Sequence, residues 1–192
     1  MERSDYLVLV NKDNKIPDNW ESKIKLIELK NVFNRTIKVE EETLEKYEEL
    51  IDSLLKEWID IELDSAYRSL EKQQDLREDM EESYWIEYAE KYAAVPGYSE
   101  HHTWLALDIC IKKDWKILSE NHEMIVECEI FGKIHEKLGD YGFILRYLEW
   151  KENITGFEYE PWHIRYVWDV IVARKIMENW QTLEEYLKQS NN

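Results

Sequence analysis

The sequence predicts an α+β fold: a single domain with a mainly antiparallel sheet flanked by helices. Three observations lead there. Short apolar runs and amphipathic helical stretches are mixed without a regular βαβ rhythm. The 192 residues include only five glycines and three prolines, with no low-complexity linker and no repeat, so one compact domain is expected. Apolar residues make up 44% and charged residues 35%, which reads as globular.

The elements follow in order. Leu7 to Val10 and Ile24 to Leu29 read as short strands. The stretch VEEETLEKYEELIDSLLKEWI repeats Leu44, Tyr47, Leu50, Ile51, Leu54 and Leu55 at three and four, with acids in its first turns, so it reads as an amphipathic helix. Asp60 to Tyr67 alternates as a strand, with Ile61, Leu63 and Ser65 on one face. Ser69 is an N-cap candidate for a long helix reaching about Tyr92. Val95 to Ser99 is a loop, and Leu105 to Ile111 is a strong strand candidate. Asn121 to Leu138 is helical and stops at Gly139-Asp-Tyr-Gly142. Phe143 to Tyr147 and Ile164 to Val167 read as strands, and helices near Asp169 to Asn179 and Thr182 to Lys188 close the chain.

Charge and cysteine content narrow the function classes. A formal net charge of −17 argues against nucleic acid, whose phosphates want a basic face, and would repel anionic membranes. Cys110 and Cys128 lack CxxC spacing and read as two reduced core thiols. The N-terminal residues lack the pattern of a signal peptide, and no apolar run approaches the roughly 20 residues of a membrane span. A cytoplasmic location is expected.

Two segments carry the chemistry. PGYSEHHTWLALDI sets His101 and His102 before Asp108, and EYEPWHIRYV sets Glu160 three residues before His163. Asp108 lies in the apolar run LALDICI, where an unpaired carboxylate costs roughly several kcal/mol. His101, Asp108 and His163 would make a two-nitrogen, one-oxygen set that suits zinc and leaves a fourth position for water. His102 is an alternative to His101 on spacing alone. Glu160 would serve as general base beside that water, and Arg68 in SAYRS would supply a cation for the oxyanion.

SEHHTWLALDI resembles the SxHxxGxAxD motif of the zinc D,D-peptidases, the VanX dipeptidases and VanY carboxypeptidases. EPWHIRYV resembles their ExxWHxRY motif, DSAYRSLEKQ their SGYRS segment, and YGFILRY and TLEEYL resemble the bifunctional VanXY type. The resemblance spans about Ile61 to the C-terminus. It implies one domain over 1–192, with N-terminal strands and a helix over 1–60 and the motif-bearing core over 61–192. The implied architecture is that of the zinc D,D-peptidases (hedgehog-like). The implied ligands are His101, Asp108 and His163 for one zinc per chain, with Glu160 as acid/base and Arg68 on the carbonyl oxygen. Ser99 and Gln73 are implied near the substrate. The implied activity is hydrolysis of D-alanyl-D-alanine and removal of terminal D-alanine from peptidoglycan precursors, with a role in vancomycin resistance.

The sequence departs from this pattern at tryptophans. Trp104 and Trp168 stand where the family has glycine, and Trp115 and Trp150 lie in turn-like contexts that suit glycine. Trp85 and Trp180 extend the pattern. Nine tryptophans beside five glycines point to systematic replacement of glycine, by design or by decoding one codon differently. An indole at 104 could fill the cleft or push His101 out of line. That raises an alternative: a zinc-bound, catalytically impaired binder of peptidoglycan peptides.

Overall fold

The computed structural model describes residues 1–190. It is an α+β domain with two antiparallel sheets. The small sheet is a hairpin of β1 (Leu26–Lys30) and β2 (Thr36–Glu40). The large sheet runs β3 (Asp60–Ser65), β4 (Ala106–Lys113), β7 (His163–Tyr166), β6 (Phe143–Leu145), with β5 (Lys116–Leu118) folded back on β4. Every pairing in it is antiparallel.

Helix α1 (Glu41–Leu55) begins where Glu40 accepts a 2.7 Å hydrogen bond from the Thr43 amide. It turns Tyr47, Leu50 and Leu54 into the core. That core joins them to Ile61, Leu107, Ile109, Phe131, Leu145 and Ile164 from the large sheet and α5 (Cys128–Leu138). A smaller cluster of Ile144, Val167, Ala173, Ile176 and Leu183 seats α7 (Val170–Glu178) and α8 (Leu183–Ser190).

Several expectations shift. Leu7 to Val10 is not a strand: Arg3–Leu7 forms a 3-10 turn, and the carbonyls of Tyr6 and Val8 accept hydrogen bonds from the buried Arg165 guanidinium. A side chain satisfies this backbone where a sheet neighbour was expected. The helix from Ser69 does start there, with Ser69 Oγ accepting from the Lys72 amide. It breaks into α2 (Leu70–Ser83) and α3 (Ile86–Tyr92). Gln73 is the only buried residue of α2, so no apolar stripe holds one continuous rod. Asn121 to Leu138 likewise divides into α4 (Asn121–Met124) and α5. Strands β2 and β5 and the short α6 (Glu152–Thr155) were not foreseen.

Candidate active site

The site is built on paired strands. In the register of β4 with β7, Asp108 stands opposite His163, and in that of β3 with β4 it stands opposite Ser65. Directly opposed residues on antiparallel strands point to the same face. A 3-10 turn, Glu100–Thr103, delivers His101 to that face; Ser99 caps it, its hydroxyl accepting from the His101 amide at 3.4 Å.

The three expected ligands converge. His101 Nε2 lies 3.1 Å from Asp108 Oδ2, and His163 Nδ1 lies 3.1 Å from Asp108 Oδ1. One donor atom from each of the three falls within 4.8 Å of the others. The outer ring nitrogens are engaged elsewhere. His101 Nδ1 donates to the Ala66 carbonyl at 2.6 Å, and His163 Nε2 faces Glu100 Oε2 at 3.4 Å. When both rings are neutral, the inner nitrogens are thereby left to present lone pairs. Asp108 Oδ1 is buried without a hydrogen-bond partner among the described residues. Two imidazole lone pairs and an orphaned carboxylate oxygen fit a divalent cation of the zinc type.

His102 is excluded as the alternative ligand. Its Nδ1 bonds the Arg68 carbonyl at 2.6 Å and its Nε2 accepts from the Gly97 amide at 3.0 Å. It ties two loops together.

Glu160 and Arg68 flank the triad. Glu160 Oε2 is 3.7 Å from His163 Nδ1, and Arg68 Nη2 is 3.6 Å from Asp108 Oδ2. Burial pushes the Glu160 carboxyl up to about 8, against the pull of His163. Burial likewise holds His101 below the usual histidine range, so its ring is neutral. Burial opposes charging His163, but Asp108 and Glu100 outweigh it and raise that ring to about 9. Gln73 is fully buried behind Arg68, accepting from Arg68 Nη1 at 3.0 Å and donating to the Ala94 carbonyl at 2.9 Å.

A cleft of about 530 Å³ opens over the triad, lined by Tyr67, Arg68, Ser99, Tyr147, Glu160 and Trp162 among others. Met80, Tyr92 and Ala94 border one side and Phe157 another, so the segments around 80–96 and 149–157 shape its mouth. Trp104 neither fills it nor displaces His101. Its indole is 3% exposed and stacks on the Tyr67 ring with centroids 3.3 Å apart.

Glu100 and Tyr147 were missed by the sequence reading. Glu100 is buried and bonds Arg146 Nε at 2.6 Å and Arg165 Nη1 at 2.8 Å. Burial would raise its carboxyl, but the two guanidiniums win and hold it well below the usual range. The signal was available: FILRY and HIRYV each carry an arginine in an apolar strand, and each needs a buried anion. The Tyr147 ring packs on His163 with centroids 4.7 Å apart.

The Glu160 shift has a sign. Between pH 4.5 and about 8 the folded, metal-free chain binds a proton that the unfolded chain has released, so stability falls as pH rises through that window. Glu160→Gln removes the ionisation. In chelator, its thermal midpoint is expected to match the parent near pH 4 and exceed it at pH 9. An equal gap at both pH values would refute the raised pKa.

Residues 36–169 match the family of D-alanyl-D-alanine carboxypeptidases, VanY. The bifunctional D-Ala-D-Ala dipeptidase and carboxypeptidase VanXYC of Enterococcus gallinarum is 34% identical over 94% of this chain and 92% of its own length. Among solved structures, a mutant of the vancomycin resistance D,D-pentapeptidase VanY in complex with Zn(II) superposes with a TM-score of 0.81. It is 31% identical over 95% of this chain and 99% of that one. The LdcB LD-carboxypeptidase superposes with a TM-score of 0.80 at 32% identity, over 97% of this chain and 87% of that one. With the fold and the triad, these matches establish that the chain is a peptidase belonging to the VanY D-alanyl-D-alanine carboxypeptidase family.

Proposed function

We propose that this chain is a zinc-dependent D,D-peptidase that hydrolyses D-alanyl-D-alanine and removes C-terminal D-alanine from peptidoglycan precursor peptides, with a role in resistance to vancomycin-like glycopeptides. The observation that carries the reading is the convergence of His101 Nε2, Asp108 and His163 Nδ1, with Glu160 beside them. His101, Asp108 and His163 would hold the zinc. Bound there, zinc would supply a water of lowered pKa, a polarised scissile carbonyl and a positive charge that favours the Glu160 carboxylate.

The chain's own groups do the rest. Glu160 takes a proton from the attacking water and returns it to the departing D-alanine nitrogen. Arg68 stands over the same face and steadies the developing oxyanion. Gln73 serves by holding Arg68, since both ends of its amide are engaged. Ser99 borders the cleft at the His101 amide and is the nearest candidate for the substrate carboxylate. The open cleft beside Trp104 disfavours the impaired-binder alternative. Cytoplasmic residence belongs to the same proposal, supported by two free thiols, Cys110 in the core and Cys128 exposed at the start of α5 where a core position was expected, and tested by cell fractionation.

A second reading, L,D-carboxypeptidase activity, is favoured by one observation: the LdcB structure superposes as well as the VanY structure does. A panel of D,D and L,D peptides separates the two.

Purified chain loaded with one equivalent of zinc is expected to release D-alanine from D-alanyl-D-alanine or a pentapeptide, and to stop in chelator. Full turnover in chelator would reject the metal mechanism. Glu160→Ala is expected to keep its zinc and lose at least about 100-fold in kcat. Parent-level turnover would remove Glu160 from the mechanism.

A further inference from the structure

Six tryptophans occupy backbone that belongs to glycine. Trp58, Trp104, Trp115, Trp150, Trp168 and Trp180 have φ between 51° and 68°. Among the described residues the other non-glycine positions with positive φ are Asn19, Asn34 and Asp114, side-chain types that tolerate it. Trp104 is the left-handed cap that ends the Glu100–Thr103 turn, and turn geometry identifies the other five. At the end of α1, the Ile59 amide bonds the Leu54 carbonyl and the Trp58 amide bonds Leu55, a Schellman motif with Trp58 at its left-handed residue. At the end of α7, Gln181 bonds Ile176 and Trp180 bonds Met177, the same motif again. Asp114-Trp115 joins β4 to β5 as a two-residue hairpin loop with both φ positive, where Asp-Gly is the rule. Trp150 is the third residue of the turn closed by Lys151 N to Leu148 O, the place where type II turns take glycine. Trp168 is the centre of a tight turn closed by Asp169 N to Val167 O.

Trp104 stacks on Tyr67 and Trp168 packs near Tyr6, but the exposed turns offer an indole no pocket. Trp58 and Trp115 are essentially fully exposed and Trp150 nearly so. The buried Trp104 leaves its Nε1 without a hydrogen-bond partner. Trp20 and Trp162 differ: both are buried with φ outside the positive region, and Trp20 Nε1 donates to the Thr103 carbonyl at 3.0 Å. We propose that the protein made in its own cell carries glycine at these six positions, one codon being decoded there as glycine, while Trp20 and Trp162 are true tryptophans. Trp85, with extended φ of 174°, stands outside the proposal.

The gene and the native protein test this directly. The six positions are expected to share UGA, a codon whose meaning differs between codes, with UGG at Trp20 and Trp162. Peptides of protein isolated from its own cells should have glycine masses at the six positions. UGG at the six, or tryptophan masses there, overturns the proposal. In a recombinant chain, Trp58→Gly, Trp115→Gly, Trp150→Gly and Trp180→Gly together are expected to raise the thermal midpoint by roughly 5–10 °C, because each relieves left-handed strain. A midpoint unchanged or lower would count against it.

A separate observation carries a second inference, which rests on the metal-centre reading. The geometry assigns Glu100 as a positioning residue for His163: its carboxylate, clamped between Arg146 and Arg165, fixes the proton on His163 Nε2 and turns Nδ1 toward Asp108. Glu100→Gln is expected to weaken zinc binding about 10–100-fold by chelator competition. Nitrogen-15 NMR of the metal-free parent at about pH 10, where the His163 ring has lost its second proton, should show the Nε2–H form. The Nδ1–H form in the folded parent at that pH, or unchanged zinc affinity in a folded Glu100→Gln variant, overturns the assignment. A parent that binds no zinc would instead overturn the metal-centre reading. If Glu100→Gln does not fold, the parent spectrum still decides.

Discussion

The register that sets Asp108 opposite His163 is the constraint on which the rest of the structure depends. A one-residue slip of β7 against β4 would send every side chain of β7 to the other face. Asp108 would then lose the His163 imidazole and keep only that of His101, and His163 would enter the core. The alternation that places Leu107, Ile109 and Ile164 inside makes that slip costly. The packing that stabilises the sheet therefore also fixes the site.

Glu100 extends the constraint to both ends of the chain. Arg165 passes from Glu100 to the Tyr6 and Val8 carbonyls, and Arg146 passes from Glu100 to Glu184 on α8. A buried carboxylate with two guanidiniums contributes little net stability compared with an apolar replacement, because desolvation offsets the attraction. Its value here is geometric. Removing one member would strand charges beneath His163, so the terminal segments can be seated in only one way while the site is intact.

The fold class and the strands carrying the site were legible because their patterns are local. LALDICI and HIRYV announce buried strands by their apolar runs, and Asp108 announces itself by being a charge within one. The Ser69 cap was legible for the same reason. What was not legible was settled by distant partners. Arg165 satisfies the backbone around residues 6–8, so an apolar run that looks like a strand needs no sheet. Spacing alone left His101 and His102 open, because the choice depends on the Ala66 and Arg68 carbonyls, far from both in sequence; the family resemblance pointed to His101.

The left-handed positions and the site tolerate each other because they are built on different elements. The expected ligands and Glu160 sit on or beside paired strands, while the six tryptophans lie at helix ends, one hairpin tip and tight turns between elements. Trp104 is the test of this separation, since it lies between His101 and Asp108 in sequence. Its backbone turns left-handed and its indole stacks on Tyr67 without lining the cleft. The turn is specified by the strand it feeds and the 3-10 helix it ends, so the chain keeps the glycine conformation with a residue that does not favour it. A non-glycine residue in that region costs about 1–2 kcal/mol. The penalty falls on the stability of the domain, and the triad keeps its geometry.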